Sequence, residues 1–135
     1  MVDEKKPFRL WGICCAHVGT DLNRGQRKSL EQAIHDSELG GHGPSFDWDI
    51  AVNLGDLSGS AVVPDDKEGE EVVGQYGTLT KHRREDVYDV CGNHDRNATW
   101  QPEGEWFQKW VDPIGVSTEF SGVDPKRRPY PVYGT

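Results

Sequence analysis

Apolar residues in the first part of the chain form three short strand-like runs, separated by two segments with helical spacing. The first run, Phe8 to Cys15, is mostly uncharged, as expected for a strand that is buried on both faces of a parallel sheet. The second run, Phe46 to Leu54, alternates apolar and polar residues with the period of two that predicts a strand. The third run is Val87 to Cys91. Strands that alternate with helices predict an α/β fold with a parallel sheet and right-handed crossovers.

The first helical segment is predicted over Asn23 to Ser37. Its apolar residues Leu30, Ala33 and Ile34 lie on one face at helical spacing, and charged residues lie outside that face. A linker over Val18 to Leu22 is expected to connect this helix to the first strand.

The second helical segment follows a loop that is predicted over Leu57 to Lys67. Within this loop, the acidic run from Asp65 onward is expected to be solvated and to lead into the helix start. The basic run Lys81 to Arg84 is expected to close the helix, because cations suit the carboxyl end of the helix dipole. The helix itself is indicated by the spacing of Val72, Val73, Tyr76 and Leu79.

The last part of the chain has weaker signals. A short amphipathic helix is predicted over Trp106 to Val111, ended by Asp112 and Pro113. Gly115 to Thr135 is rich in Gly, Pro and Ser and is predicted to be loop. With no further strand to cover them, the aromatic side chains of Trp106, Phe107 and Trp110 are expected to lack part of their packing.

Composition indicates one globular domain and narrows the class of partner. The chain has 135 residues, of which 34% are apolar and 28% are charged, with a net charge of −8. This negative charge argues against a general nucleic-acid binder, since such proteins carry a positive field. No apolar run approaches the ~18 residues of a membrane span, and no signal core follows Met1, so we expect a cytoplasmic protein without a membrane partner. The oligomeric state is not indicated.

The three cysteines do not form a disulfide framework, because their number is odd and two of them are adjacent. On a strand, Cys14 and Cys15 point to opposite faces, so one is expected to be buried while the other faces the end of the strand. His35, His42 and His82 lie on helical or Gly-rich segments and are expected to be solvated.

Polar residues that can bind a cation follow each of the three predicted strands. These blocks are Cys15-Ala16-His17, Gly55-Asp56 and Gly92-Asn93-His94-Asp95. Because the carboxyl ends of parallel strands meet at one edge of a sheet, we expect their side chains to cluster there.

In this order, the three blocks resemble the calcineurin-like metallophosphoesterases, whose pattern is D-x-H, then G-D, then G-N-H-[DE], then two later histidine motifs. Each interval between blocks can hold one strand-helix-strand unit of about 30 residues. The chain departs from the family in two ways: Cys15 stands at the position of the first aspartate, and no histidine follows His94. The resemblance implies that residues 1–135 are the amino-terminal part of a single sandwich domain whose carboxyl-terminal part is missing.

The resemblance also implies a binuclear site for two divalent ions, with manganese, iron or zinc as candidates. It implies that Asp56 bridges the ions, that His17 and the Cys15 position hold the first ion and that Asn93 holds the second. His94 would lie beside the leaving group, as an acid or as a group that stabilises the phosphate. A thiolate at Cys15 would itself favour zinc or iron over manganese.

The implied activity is metal-dependent hydrolysis of phosphate monoesters or diesters, by a site that is incomplete in this chain and therefore weak. A nuclease of the same family is a less favoured alternative because of the negative charge. The alternative from another class is a non-catalytic binding or scaffold domain that keeps the fold. For Asp95, two interpretations remain open: a carboxylate that holds the turn or orients a ligand, and a surface turn residue.

Overall fold

A small parallel sheet lies at the centre of the fold. The computed structural model describes residues 5–25, 27–60, 62–96 and 106–132. The sheet order is β1-β2-β3, and both pairings are parallel. The strands are shorter than the predicted runs and comprise Leu10–Ile13 (β1), Ile50–Asn53 (β2) and Val87–Asp89 (β3). The predicted α/β class with three parallel strands is confirmed.

Helices lie between the strands and in the segment after β3, and loops join these elements. Two helices separate β1 from β2, and one helix separates β2 from β3. The α-helices are Val18–Arg24 (α1), Ser29–Leu39 (α2), Asp66–Tyr76 (α3) and Thr118–Ser121 (α4). Short 3-10 turns cover Arg84–Asp86, Asn93–Asp95 and Pro125–Arg127, and a π-helical turn covers Phe107–Val111.

The predicted linker over Val18 to Leu22 is wrong, because this segment forms α1. Val18 is fully buried and Leu22, one helical turn later, packs against the core. Gly25 ends α1 in the left-handed region at φ 62°. A separate helix, α2, begins at Ser29, whose N–H donates to the Asp21 carboxylate at 3.0 Å.

Helix α3 begins and ends earlier than predicted. Asp65 accepts a hydrogen bond from the Glu68 N–H and caps the amino end, so the helix includes most of the acidic run. Glu68 is buried, which differs from the expected solvated run. The helix ends at Tyr76, so the basic run from Lys81 lies beyond the helix and does not close it.

The hydrophobic core lies on one face of the sheet only. Alternation along β1 places Trp11 and Ile13 towards the core and Leu10 towards the opposite face. On that opposite face Leu10 is 55% exposed, Leu54 63% and Val90 53%. The expectation that the first strand is buried on both faces is therefore wrong. The core consists of Val18, Leu30, Ile34, Trp48, Ala51, Leu57, Val72, Tyr76, Val87, Trp106, Phe107, Trp110 and Val111.

The aromatic segment after β3 is well packed, contrary to expectation. Trp106, Phe107 and Trp110 are each less than a tenth exposed. The Trp110 ring lies against Gly69 of α3, and its Nε1 donates to an Asp66 carboxylate oxygen at 3.0 Å. The predicted helix is confirmed, with π-helical hydrogen bonding.

The predicted loop over Gly115 to Thr135 contains α4 and a 3-10 turn, and residues 133–135 lie outside the described part of the chain. The Asp112 carboxylate accepts hydrogen bonds from three consecutive N–H groups, those of residues 115–117, and orders the start of this segment. Arg128 is buried and donates to the backbone carbonyls of Glu85 and Val87 at 3.1 and 2.8 Å, which ties the segment to β3.

His82 is buried, so its predicted solvation is wrong. Its side chain is 8% exposed, and its ring stacks on Trp48 with the centroids 3.3 Å apart. The Nδ1 atom lies 2.8 Å from a Glu38 carboxylate oxygen and Nε2 lies 2.8 Å from the Trp48 carbonyl oxygen. His35 and His42 are exposed, as expected.

No helix in the described ranges combines the length and the apolar character that crossing a membrane requires.

Candidate metal centre

Backbone pairing continues beyond the ends of β1 and β2 and places the first two polar blocks side by side. The N–H groups of Cys15 and His17 donate to the carbonyls of Gly55 and Asp56 at 3.0 and 3.1 Å. The next N–H, that of Val18, donates to the Leu57 carbonyl at 2.8 Å. Cys15 and His17 are thus held beside Asp56 by the backbone itself.

The side chains of Cys15, His17 and Asp56 converge at this edge of the sheet. Each offers one ligand atom, and the three atoms all lie within 4.8 Å of one another. Ligand atoms that each lie ~2.0–2.3 Å from one ion are closer to one another than 4.8 Å. A modest side-chain movement would therefore accompany binding. The structure therefore brings together three of the residues that the sequence predicts as ligands.

All three residues have left-handed backbone conformations. The φ angles are 55° at Cys15, 50° at His17 and 57° at Asp56. In the described part of the chain, Asp112 is the one other non-glycine residue with positive φ. Such conformations cost about 1–3 kcal/mol each and cluster at functional sites, because a site can require a side-chain direction that relaxed backbone does not supply.

The His17 ring has a buried nitrogen without a partner. Its Nε2 atom is inaccessible to solvent and has no hydrogen-bond partner among the described residues. A buried polar atom left unpaired costs about 1–3 kcal/mol. A cation bound through this nitrogen would satisfy it, and a thiol, an imidazole and a carboxylate are common metal ligands, so the donor set fits a metal ion.

Asp95 holds the second and third blocks together. Its carboxylate is fully buried and accepts hydrogen bonds from the N–H groups of Asp56, Ser58 and Gly92, each at 2.9 Å. Burial raises the pKa of this carboxyl above its ordinary value, and the three N–H donors act in the opposite direction. Of the two interpretations left open by the sequence, the structure supports the one in which Asp95 holds the turn.

Gly92 allows the third block to approach Asp56 closely. A Cβ atom at this position would collide with the Asp56 carboxylate and backbone nitrogen. Gly55, at φ 109°, lies against the same glycine. The glycines that precede Asp56 and Asn93 in the two motifs thus have a steric explanation.

His94 is oriented by two hydrogen bonds. Its N–H donates to an Asp56 carboxylate oxygen at 3.1 Å, and its ring Nδ1 lies 2.7 Å from the Ser60 carbonyl oxygen. A carbonyl oxygen can only accept, so Nδ1 carries the proton and Nε2 is the nitrogen available to a substrate. The ring centroids of His94 and His17 are 5.5 Å apart. Asn93 is exposed and precedes His94 in the same 3-10 turn.

Both adjacent cysteines are exposed, so the expectation that one is buried is wrong. The backbone turns into the left-handed region at Cys15, which ends the alternation of a strand. A hydrogen bond with Cys14, followed by desolvation and the nearby carboxylates of Asp56 and Asp95, raises the pKa of the Cys15 thiol. A bound cation would favour the thiolate form at this position.

The observed cluster has the ligand number of a site for one ion. Catalytic zinc sites use three protein ligands and keep a fourth position open for water or substrate. In the described ranges, Cys15, His17 and Asp56 are the group that meets the geometric requirement. Sequence reasoning did not identify the Ser60 carbonyl as the partner that orients His94, since backbone partners have no sequence signal.

No protein-family model, curated protein or solved structure matches this chain. The resemblance to metallophosphoesterases consequently depends on the three sequence motifs.

Proposed function

We propose that this chain is a metal-dependent hydrolase of phosphate monoesters or diesters, with a fold and site of the calcineurin-like kind. The observation that carries the proposal is the convergence of Cys15, His17 and Asp56, all in left-handed conformations, at the carboxyl edge of a parallel sheet. Unfavourable backbone conformations cluster at functional sites, so the three left-handed residues support a ligand-binding role for this cluster.

The residues of the site have different roles in phosphate-ester hydrolysis. Cys15, His17 and Asp56 would hold a divalent ion, and by the family resemblance Asn93 would contribute to a second one. Such ions neutralise phosphoryl charge and lower the pKa of a bound water. His94, with Nδ1 fixed by the Ser60 carbonyl, presents Nε2 to exchange a proton with the leaving oxygen.

The alternative is a binding or scaffold domain that keeps the fold without turnover. The number of ligands in the cluster favours this alternative, because three ligands suit one ion and a binuclear site needs more ligands. Zinc, iron and manganese remain the candidate ions, and the Cys15 thiol favours zinc or iron.

The test is metal binding followed by an activity measurement. The chain is dialysed against zinc or manganese, its metal content is determined, and hydrolysis of an aryl phosphate and a diaryl phosphate is measured. Asp56→Asn should weaken metal binding by at least about tenfold, the effect expected even for an indirect partner of a ligand. Asp47→Asn is the matched control, since Asp47 has a 76% exposed side chain.

Two outcomes would argue against the enzyme. A folded chain that binds no metal would support a scaffold domain that has no metal site. Metal that binds in an Asp56-dependent way, with no hydrolysis of either ester, would support a binding domain.

A further inference from the structure

The loop after β2 contains a chain of three hydrogen bonds that ends at the His94 ring. The Ser58 hydroxyl donates to a Glu68 carboxylate oxygen at 2.9 Å. The same hydroxyl oxygen accepts a hydrogen bond from the Ser60 N–H at 3.1 Å. The Ser60 carbonyl oxygen lies 2.7 Å from Nδ1 of His94. These contacts connect α3 to the proposed proton donor through the loop.

The chemistry of the groups fixes the direction of the hydrogen bonds at Ser58. A carboxylate can only accept, so the hydroxyl hydrogen points to Glu68 and the oxygen lone pairs remain to accept from Ser60. Ser58 is fully buried and Glu68 is 6% exposed, so water does not compete readily for either group. A Cβ atom at Gly19 would collide with the Glu68 carboxylate, so α1 confines this carboxylate from another side. The hydroxyl therefore has one favourable orientation.

We propose that Ser58, held by Glu68, is a positioning residue for His94. The N–H and the C=O of Ser60 belong to one residue, so a hydroxyl that anchors the N–H restricts where the C=O points. The hydrogen bond that an imidazole makes sets which of its nitrogens carries the proton. The Ser60 carbonyl thus keeps the proton on Nδ1 and leaves Nε2 for the substrate. The catalytic role rests on the proposed function, whereas the position of the ring proton does not.

Other contacts of this loop do not depend on the Ser58 hydroxyl. The Ser58 N–H donates to the Asp95 carboxylate at 2.9 Å, and Thr20 Oγ1 donates to the Gly59 carbonyl at 3.3 Å. Both contacts are retained in Ser58→Ala, which keeps the Cβ atom and the backbone. The loop should therefore stay in place while the Ser60 N–H loses its acceptor.

The test is the position of the His94 ring proton in the metal-free chain at pH 8, where an ordinary imidazole is neutral. Nitrogen NMR spectra distinguish a protonated ring nitrogen from an unprotonated one, and His94→Gln assigns the signals by removing one ring. The natural chain should carry this proton on Nδ1. In Ser58→Ala, the ratio of the Nδ1-protonated to the Nε2-protonated form should fall by about fivefold, the loss expected for one hydrogen bond of ordinary strength.

Ser121→Ala is the matched control, because Ser121 makes the same pair of contacts away from the site. Its hydroxyl donates to the buried Asp112 carboxylate at 2.9 Å and accepts from the Val123 N–H, two residues later, at 3.0 Å. The two alanine variants lose equivalent hydrogen bonds, and Ser121→Ala should keep the natural ratio. Ser58→Cys, which puts a weak donor and acceptor in place of the hydroxyl, replaces Ser58→Ala if that variant does not fold.

Activity of the zinc-loaded chain is the second measurement. Ser58→Ala should lower kcat for an aryl phosphate and leave KM unchanged, because the proton transfer by His94 takes place only in the transition state. An unchanged tautomer ratio in the Ser58 variant, an equal change in Ser121→Ala, or a natural chain with Nε2 protonated would overturn this inference and leave the proposed function standing. The expected ratios in a metal-loaded chain that hydrolyses no ester would support the positioning of the ring and overturn the proposed function.

Discussion

At the scale of single residues, the candidate centre depends on one buried carboxylate that is not itself a member of the cluster. Asp95 joins the loop after β2 to the turn after β3 through three backbone N–H donors. These hydrogen bonds determine where Asp56 lies relative to His94. The stability of the fold and the geometry of the site are therefore coupled at this residue.

Asp95→Ala should destabilise the fold by at least about 2 kcal/mol, because it leaves three N–H groups without their acceptor and each buried unpaired group costs about 1–3 kcal/mol. Urea unfolding measures the effect. Asp47→Ala, at an exposed carboxylate, is the control and should change stability by less than about 0.5 kcal/mol. Equal stability of the two variants would show that Asp95 does not hold the turns.

Glu38 should make stability depend on pH. Burial disfavours the Glu38 carboxylate, but hydrogen bonds from the Thr80, Lys81 and His82 N–H groups and the His82 ring outweigh it and lower the pKa below the ordinary 4.5. A lowered pKa in the folded state gives stability that is present above the unfolded pKa and lost as pH falls through the folded pKa.

Glu38→Gln should therefore unfold at lower urea concentration than the natural chain at pH 7, and the two should converge as pH falls from 4.5 through the lowered pKa of Glu38. Glu119→Gln, at an exposed carboxylate, is the control. A difference that stays constant from pH 7 to pH 3 would contradict the assignment.

At the scale of elements, the sequence predicted the features that follow from where the strands end. It missed the features that depend on contacts between residues far apart in the chain. Asp56 and His94 could be placed together because parallel strands end at one edge. Helix α1 was missed because it spans seven residues, Val18–Arg24, too few for a clear period. The burial of His82 could not be predicted, since its partner Glu38 lies 44 positions away. The left-handed conformation of Cys15 has no sequence signal, because cysteine rarely adopts it.

Helix α3 offers a paired test of packing against the π-helical turn. A Cβ atom at Gly74 would meet open space, so Gly74→Ala should stabilise the fold by about 0.5–1 kcal/mol through helix propensity. A Cβ atom at Gly69 would collide with the Trp110 ring, so Gly69→Ala should destabilise it by about 1–3 kcal/mol. Thermal unfolding of both variants gives the comparison. Shifts of the melting temperature in the same direction would contradict the packing of Trp110 against Gly69.

At the scale of the whole molecule, one face of the sheet carries exposed apolar side chains. Leu10, Leu54 and Val90 all lie on this face and are more than half exposed. Parallel sheets are normally covered on both faces, and exposed apolar patches favour association. The outer strands β1 and β3 also present sheet edges.

We therefore expect the isolated chain to self-associate as its concentration rises, which sedimentation velocity would detect. Leu54→Lys should shift the chain towards monomer, because a charge on this face opposes its burial. Lys substitution at Val116, an exposed apolar residue outside the sheet, is the control. A monomer at every concentration, with no binding of a hydrophobic dye, would contradict this expectation.

The left-handed conformations of Cys15, His17 and Asp56 also have a consequence for selection. Each is a position where glycine or asparagine would relieve strain, with a gain of roughly 1 kcal/mol where the new residue fits. A library of variants screened for thermal stability alone should thus accumulate Gly or Asn at these three positions. A screen that also requires metal retention should keep the original residues, so the difference between the two outcomes would map the ligands without a structure.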